Sequence, residues 1–327
     1  MGALRRHWRS PWLRYGLTVV LLALICWKVV KPAQLGDAIR ALSPLHLALA
    51  MALTLPFLAL KALRWHLLLR AGRCQASFAQ AFISLIGGMA LALITPARLG
   101  EVSRAAYLPE PRKLRVGALV MVDKVYDVIV LALLSVAGAA RLVSPLLALA
   151  LGLFGAAGVY LAIRPRDLRR LYAGIGPRLP LYARIDKVLE GFAEFRATVG
   201  ALCLLYTLGS FLIVLAQYWI ILRAWNVGGP DVVIYCFPLV VLTNAVPLTV
   251  AGLGIREGTA IFLLHRFGIA SQIAGTSAFL MSFMNTVLPG LLGAAITPFL
   301  RRAPAQSEAE ASHSTRASAH ASHGLPR

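Results

Sequence analysis

Residues 143–163 read VSPLLALALGLFGAAGVYLAI and contain no charged side chain. A helix of about 20 apolar residues is long enough to cross the ~30 Å hydrocarbon core of a bilayer. Helices are the default spanning element, because each one satisfies its own backbone hydrogen bonds where water is absent. This stretch therefore predicts a transmembrane helix.

The whole chain shares this apolar character. Of its 327 residues, 59% are hydrophobic, whereas soluble domains have about 45–50% apolar residues. The formal net charge of +20 could suggest nucleic-acid binding. However, the basic residues lie in short segments between apolar runs, so we interpret them as orientation signals and expect no nucleic-acid partner.

Six apolar runs are uninterrupted and long enough to span a membrane. The first follows a basic N-terminal segment and is not followed by a cleavage site for a signal peptidase, so we interpret it as a retained span. The six runs are Trp12–Val30, Leu45–Leu69, Val116–Ala140, Val143–Ile163, Val199–Arg223 and Gln272–Leu300.

Two further apolar stretches contain helix breakers. Phe78–Leu99 includes Gly87, Gly88 and Pro96, and Val232–Leu253 carries two prolines and a glycine, with a further glycine directly after it. Proline and glycine both disfavour a helix interior. These stretches are therefore predicted to be broken helices rather than simple spans.

The charges that flank the broken stretches predict how they enter the membrane. Basic residues lie on both sides of the first, whereas the segment before the second, Trp225–Asp231, is poor in lysine and arginine. By the positive-inside rule, the first stretch turns back on the cytoplasmic side and the second on the outer side. The predicted fold is an all-α polytopic membrane protein with two re-entrant hairpins in an inverted repeat. Six spans plus these hairpins and eight full spans remain alternatives.

This topology divides the chain into three parts. Residues 1–11 form a basic cytoplasmic N-terminus, residues 12–300 an integral membrane domain, and residues 301–327 a disordered cytoplasmic tail. Within the membrane domain, residues 164–198 form a basic cytoplasmic connection with apolar residues at helical spacing, which predicts two amphipathic helices. The connection either sets orientation or binds lipid head groups.

Ionisable side chains inside a membrane are expected to face a cavity or a partner, because they are costly in lipid. Those in or beside the apolar runs are the candidate substrate-binding residues. They are Arg98, Glu101, Arg104, Asp123, Lys124, Asp127, Arg256 and Glu257, and Arg64 near the end of the second run belongs to the same class.

The spacing of these residues indicates which of them meet. Glu101 is three residues from both Arg98 and Arg104, so a helix there places all three on one face. Such a cluster offers guanidinium donors for phosphate, or it is a structural ion-pair knot. Asp123 and Asp127 share a helical face as well. They either pair with the arginines of the broken stretches or carry coupled protons.

Signatures of soluble enzymes are absent from the sequence. It has no GxSxG, HExxH or Walker A motif, and its four cysteines are scattered without CxxC spacing. We therefore expect no metal and no cofactor.

The ordered set Pro96-x-Arg98-x-Gly100-Glu101-x-x-Arg104, Asp123-Lys124-x-x-Asp127 and Gly252-x-Gly254-x-Arg256-Glu257 resembles the flippase-like membrane domain of lysylphosphatidylglycerol synthases. The likeness covers about Trp12 to Leu300. Val250 and Ala251 stand where the family often has Pro and Gly, so the second turn is expected to be less sharp. No aminoacyltransferase domain follows Leu300, so the resemblance to this stand-alone membrane domain does not imply synthase activity.

The resemblance implies lipid handling. We expect a translocase or transporter of the bacterial inner membrane that moves an anionic or modified lipid between leaflets, with both termini cytoplasmic. One alternative is a membrane-embedded enzyme or accessory subunit of glycolipid, polyprenyl or hopanoid-type lipid metabolism, with Asp123 or Glu101 as base. Another is a scaffold that anchors a lipid-biosynthesis enzyme as partner. The sequence leaves the oligomeric state open.

Overall fold

The computed structural model describes residues 42–93, 95, 99–108, 113–175, 195–243 and 255–300. All regular elements in these ranges are helices. The predicted first span, the predicted tail, Arg98 and most of the second predicted amphipathic helix lie outside the described residues.

Ten α-helices, one 3₁₀ helix and one π-helical segment make up the described part of the chain. The α-helices of the first half are α1 (Pro44–Ala71), α2 (Phe78–Ala92), α3 (Lys113–Leu142), α4 (Pro145–Ile163) and α5 (Pro165–Ile175). Those of the second half are α6 (Ala197–Ala224), α7 (Pro230–Leu242), α8 (Ile255–His265), α9 (Ser271–Ser282) and α10 (Leu288–Leu300). The 3₁₀ helix is Leu99–Tyr107, and the π-helical segment, Phe283–Val287, joins α9 to α10.

Four described helices are long and apolar enough to cross a membrane. They are Pro44–Ala71, Pro145–Ile163, Ala197–Arg223 and Ser271–Ile296. Each overlaps most of a predicted span, which confirms the all-helical membrane architecture at this level. The predicted span Val116–Ala140 lies within α3, whose 30 residues include the charged positions 123, 124 and 127.

The two predicted broken helices are short. α2 has 15 residues and α7 has 13. α2 begins with a capping box, in which Ser77 Oγ accepts from Gln80 N and Gln80 Oε1 accepts from Ser77 N. α7 begins with Pro230, a residue favoured in the first helical turn. Both helices therefore have defined starts at the polar ends of apolar segments.

The chain turns back after α2, and a threonine holds the turn. Thr95 Oγ1 donates to Leu91 O at 3.0 Å, and Gly100 N donates to Thr95 Oγ1 at 2.7 Å. A side chain at Gly100 would collide with the carbonyl of Leu91. Glycine is thus required there because the returning backbone passes directly over the end of α2.

The 3₁₀ helix then runs antiparallel to α2. A Cβ on Gly88 would lie 2.5 Å from Arg104 Cγ, and one on Gly87 would lie 2.8 Å from the ring of Tyr107. As the residue number increases from Gly87 to Gly88 in α2, the contacted residue of the 3₁₀ helix decreases from Tyr107 to Arg104. The first broken stretch is a tight helical hairpin whose returning segment approaches α2 through glycine.

The largest contact between the two halves joins α1 and α6, which pack antiparallel. Near the start of α1, Ala50 O accepts a hydrogen bond from Gln217 Nε2 near the end of α6. Further along α1, Arg64 Nη1 donates to Thr207 Oγ1, ten residues earlier in α6. The two helices therefore run in opposite directions.

Two other large contacts between the halves are reciprocal. α2 of the first half packs on α10, and α7 of the second half packs on α3. Both contacts close through glycine: Gly293 lies against the carbonyl of Ile86, and Gly138 lies against the carbonyl of Tyr235. Small residues let membrane helices approach at backbone distance. α2 thus packs on α10, which follows α7 in the second half, and α7 packs on α3, which follows α2 in the first half.

α5 confirms a helix at the first predicted amphipathic segment. Its side chains at 168, 171 and 172 are partly or largely exposed. It is fixed to α4 by Tyr160 OH, which donates to Asp167 Oδ2 at 2.8 Å.

Candidate functional site

α1 carries two cations in the interior of a span. Lys61 and Arg64 are three residues apart and therefore lie on the same side of the helix. Arg64 is 1% exposed. A buried cation in an apolar span needs anionic partners from neighbouring elements.

Arg64 finds these partners on α3. Its Nε and Nη2 lie 2.8 and 2.7 Å from Asp123 Oδ1. Its Nη1 donates to Asp127 Oδ1 at 2.7 Å. The one-turn spacing of the two aspartates lets a single guanidinium contact both. The hydrogen bond to Thr207 extends this hub to α6.

Arg104, on the 3₁₀ helix, binds the other side of Asp123. Its Nη1 donates to Asp123 Oδ2 at 2.9 Å, and its Nη2 donates to Glu101 Oε2 at 2.6 Å. The guanidinium also lies 5.1 Å from the ring centroid of Trp65, within the range of a cation–π contact. Trp65 in turn donates to Ser84 Oγ on α2 at 2.8 Å. Arg104 therefore contacts side chains of its own 3₁₀ helix, of α3 and of α1. The indole of Trp65 links it further to α2.

Two partly exposed lysines also contact the carboxylates of this cluster. Lys61 Nζ lies 3.1 Å from Asp127 Oδ2. Lys124 Nζ contacts Glu101 Oε2 and lies 3.9 Å from the same Asp127 oxygen. These lysines are more exposed than the arginines, at 16% and 34% of their side-chain areas.

We call these seven side chains the ion network: Lys61, Arg64, Glu101, Arg104, Asp123, Lys124 and Asp127. Four are cationic and three anionic, so the network has a formal charge of +1. Both aspartates were predicted to pair with arginines of the broken stretches. Asp123 pairs with Arg104, which follows the first of them, whereas Asp127 pairs instead with Arg64 and Lys61 of α1.

The ion network borders a partly open cavity of about 340 Å³. The lining combines charged and apolar side chains, so the cavity is amphipathic. Its charged lining residues are Lys61, Glu101, Arg104, Lys124, Asp127 and Arg256. Its apolar lining includes Phe57, Met89, Val128, Leu131, Phe211 and Val241.

The second half contributes Arg256 and a polar strip. Arg256, near the start of α8, is 6% exposed and lines the cavity. Asn285 and Thr286 line it from the π-helical segment. π-Helical turns are frequent at functional sites. This one also precedes Pro289, which has no N–H group for a regular helical bond.

Asn285 belongs to a second, uncharged network. Its Nδ2 donates to Gln217 Oε1 at 3.0 Å, and Gln217 Nε2 donates to Ala50 O and Thr54 Oγ1 at 2.8 and 3.1 Å. We call Thr54, Gln217 and Asn285 the amide network. It links α1, α6 and the π-helical segment, and it reaches the cavity through Asn285.

The structure therefore brings most predicted site residues together. Of the candidates, Glu101, Arg104, Lys124, Asp127 and Arg256 line the cavity, and Asp123 lies behind them in the ion network. Glu257 follows Arg256 in α8 and is not part of the cavity lining. Arg98 lies outside the described residues.

Sequence reasoning missed four members of the two networks: Lys61, Thr54, Gln217 and Asn285. It also gave Arg64 too small a role, although Arg64 is the hub. All five are polar residues within apolar runs. That signal was available, but a polar residue in a span does not reveal its partner.

Comparison with known families places the chain among membrane proteins. Residues 12–293 match the model of the family described as the lysylphosphatidylglycerol synthase TM region. The chain belongs to this family. The resemblance predicted from the charged motifs is thus confirmed, and the family match reaches from before the first described residue into α10.

A relative in this family is a UPF0104 membrane protein of Methanothermobacter thermautotrophicus. It is 25% identical over 317 residues, which cover 86% of this chain and 92% of the relative. The two proteins therefore correspond over nearly their whole lengths, and the ion network and cavity lie within the family region.

Proposed function

We propose that this chain is a lipid translocase or lipid transporter of the bacterial inner membrane, and that it moves an anionic or modified lipid between leaflets without changing it chemically. The observation that carries the proposal is the amphipathic cavity, where charged residues of both halves and apolar side chains line one space. A lipid has the same division into a polar head and apolar chains. Membership of a family named for a lipid-modifying synthase supports the same substrate class.

The proposal includes a topology. α2 with the 3₁₀ helix, and α7 with α8, are re-entrant hairpins that enter from opposite sides of the membrane. The antiparallel contact of α1 with α6, and the reciprocal glycine contacts of α2 and α7, support an inverted repeat of this kind. In known transporters, inverted repeats place the substrate site between the repeats near the midplane. Both termini then lie in the cytoplasm.

The geometry is less favourable for the enzyme alternative. Its two proposed bases, Asp123 and Glu101, are each 2% exposed. Both oxygens of Asp123 accept hydrogen bonds from arginines, and Glu101 Oε2 contacts Arg104 and Lys124. A general base must reach the proton that it removes. A partner enzyme that supplies the modified lipid remains compatible with the translocase, and we propose this arrangement rather than catalysis by the chain itself.

The proposal is tested with purified protein in liposomes. Loss of fluorescence of labelled lipids on addition of an external quencher reports movement from the inner to the outer leaflet. Arg256→Ala should slow the movement of an anionic lipid by about tenfold, because one charge-assisted contact contributes roughly 1.5–3 kcal/mol. Arg256→Lys should recover part of the rate, since an ammonium lacks the fork geometry of guanidinium.

Arg223→Ala is the matched control, because Arg223 is an exposed arginine at the end of α6. It should leave the rate unchanged. A rate in Arg256→Ala equal to that of the unmodified chain would remove the proposed site. A covalently changed lipid whose formation depends on Asp123 would instead support the enzyme alternative.

A further inference from the structure

The cations of the ion network fall into two groups: two buried arginines, and two more exposed lysines that can change partners. We infer that Lys61 and Lys124 together bind the phosphate of the lipid head group, whereas Arg64 and Arg104 form a fixed frame that does not contact it. This inference rests on the proposed function, because it concerns the same cavity. It changes the expected roles of the residues, since sequence reasoning assigned anion binding to the arginines.

Most guanidinium nitrogens of Arg64 and Arg104 already contact carboxylates. Arg104 Nε, which has no hydrogen-bond partner among the described residues, lies beside Gly88 of α2. Arg64 is 1% exposed and Arg104 is 2% exposed. Each bridges two carboxylates at 2.6–2.9 Å. Planar guanidinium groups held at two anions have a fixed orientation. A ligand that approached them would have to displace buried ion pairs, which is strongly unfavourable.

The lysines are placed differently. Both line the cavity, and both ammonium groups lie within 4 Å of a single oxygen, Asp127 Oδ2, at 3.1 and 3.9 Å. Two cations so close to one anionic oxygen can also share the oxygens of one phosphate. Lysine has a flexible stem and a compact charge, so it can turn between partners.

Withdrawal of the lysines does not leave a carboxylate without a cation. Asp127 keeps its 2.7 Å contact with Arg64 when Lys61 and Lys124 turn away. Glu101 keeps its 2.6 Å contact with Arg104 when Lys124 leaves. Because each carboxylate also has an arginine partner, the two lysines can leave the carboxylates and bind a ligand. The arginines cannot do so in the same way.

The charge of the cavity wall favours an anion. Its lining contains four cationic residues and two anionic ones. An excess of like charge in a low-dielectric cleft concentrates ligands of opposite sign. The apolar chains of the ligand would lie against the apolar lining described above.

A second observation points to a ligand in this cavity. Asn285 lines it, is only 8% exposed, and its buried Oδ1 has no hydrogen-bond partner among the described residues. A buried acceptor without a partner is unfavourable unless a ligand or water supplies a donor. The bound lipid should therefore supply a hydrogen-bond donor, which in phosphatidic acid is the P–OH group of the monoanion.

The assignment is tested by measuring the binding of dioctanoyl phosphatidic acid to the full chain in detergent with isothermal titration calorimetry. Lys61→Gln and Lys124→Gln should each weaken binding by about tenfold or more, because each removes a charge-assisted contact. Lys113→Gln is the matched control: the same substitution on α3, at an exposed lysine outside the cavity lining. It should bind as the unmodified chain does.

Asp127→Asn provides an independent test that keeps both lysines. It removes the anion that competes for the two ammonium groups, so binding should become several-fold tighter. A purely structural pairing predicts unchanged or weaker binding. If a lysine variant does not fold, this result decides alone, because the amide still accepts a hydrogen bond from Arg64.

Two further ligands separate the sources of the phosphate. Dioctanoyl glycerol, which lacks phosphate, should not bind through the lysines. Inorganic phosphate should bind far more weakly than the lipid, and equal binding of the two would overturn a lipid head-group site. Unchanged affinity in both lysine variants would overturn the inference and leave translocation untouched. Lysine-dependent binding without lipid movement in liposomes would instead refute the proposed function.

Discussion

The two halves of the molecule use different chemistry at positions that follow their short broken helices. In the first half, α1, the 3₁₀ helix and α3 are joined by the ion network. In the second half, the continuous helix Ser271–Leu300 follows the second broken stretch as α3 follows the first, yet it contains no charged residue. Its polar interior belongs to the amide network.

This difference indicates where the molecule is rigid. Buried ion pairs are strongly unfavourable to break once formed, because separation leaves charges without partners. Hydrogen bonds between membrane helices contribute little, about 0.6 kcal/mol on average. The ion network ties elements of one half together, whereas the polar side-chain contacts of α1 with α6 are hydrogen bonds to Thr207 and Gln217. We therefore expect the first half to move as one body against the second.

The largest effect on the stability of the fold is expected at Asp123. Asp123→Ala should destabilise the fold by roughly 3–5 kcal/mol, because Arg64 and Arg104 both lose a buried carboxylate partner. Unfolding in a titration of mixed detergent micelles with denaturing detergent measures the change. Asp231→Ala is the control at an exposed carboxylate in the second half, and it should change stability by less than about 0.5 kcal/mol. Equal losses in the two variants would show that the ion network does not stabilise the first half.

Much of the fold follows from the sequence because length and apolar character decide it locally. The runs Leu45–Leu69, Val143–Ile163 and Val199–Arg223 each form a helix with ends within a few residues of those predicted. The sequence also marked the two broken stretches in which the short helices α2 and α7 lie. These features need no knowledge of distant residues.

The site could be predicted only in part, since its contacts join distant residues. Asp127 and Lys61 are 66 positions apart, and Asn285 and Gln217 are 68 apart. No local pattern says which base faces which acid. The pair Glu101–Arg104 was expected on a helical face, and it forms on a 3₁₀ helix. The contact is made there because residues three apart align in that geometry.

A smaller effect should appear where the halves touch through glycine. Gly138→Ala and Gly293→Ala both place a methyl group against a backbone carbonyl, of Tyr235 and Ile86 respectively. Overpacking of this kind typically destabilises by about 1–3 kcal/mol. Because the two contacts are reciprocal, the same unfolding titration should give similar losses for both.

Gly258→Ala is the control for these glycines. Gly258 lies in α8, and a methyl group at this position would have no neighbouring atom within 4 Å. Alanine should therefore stabilise by up to about 1 kcal/mol through helix propensity. A loss in only one of the two interface variants would contradict the reciprocal packing of the halves, whereas similar losses in both would support it.

The smallest effect is expected in the amide network. Gln217→Leu removes the hydrogen bonds to Ala50 O, Thr54 and Asn285, but two of these partners have another option. Ala50 O lies within α1 and can accept its helical bond, and Asn285 Nδ2 also donates to Met281 O at 3.3 Å. The loss should therefore be about 0.6 kcal/mol, in the range of single interhelical hydrogen bonds in membranes.

Gln272→Leu, the same change at an exposed position of α9, corrects for the added apolar surface. A loss of about 3 kcal/mol or more relative to this control would reach the range of a broken buried ion pair. The amide network between the halves would then stabilise the fold as much as a buried ion pair does. Movement of one half against the other would not be favoured by a weak interface.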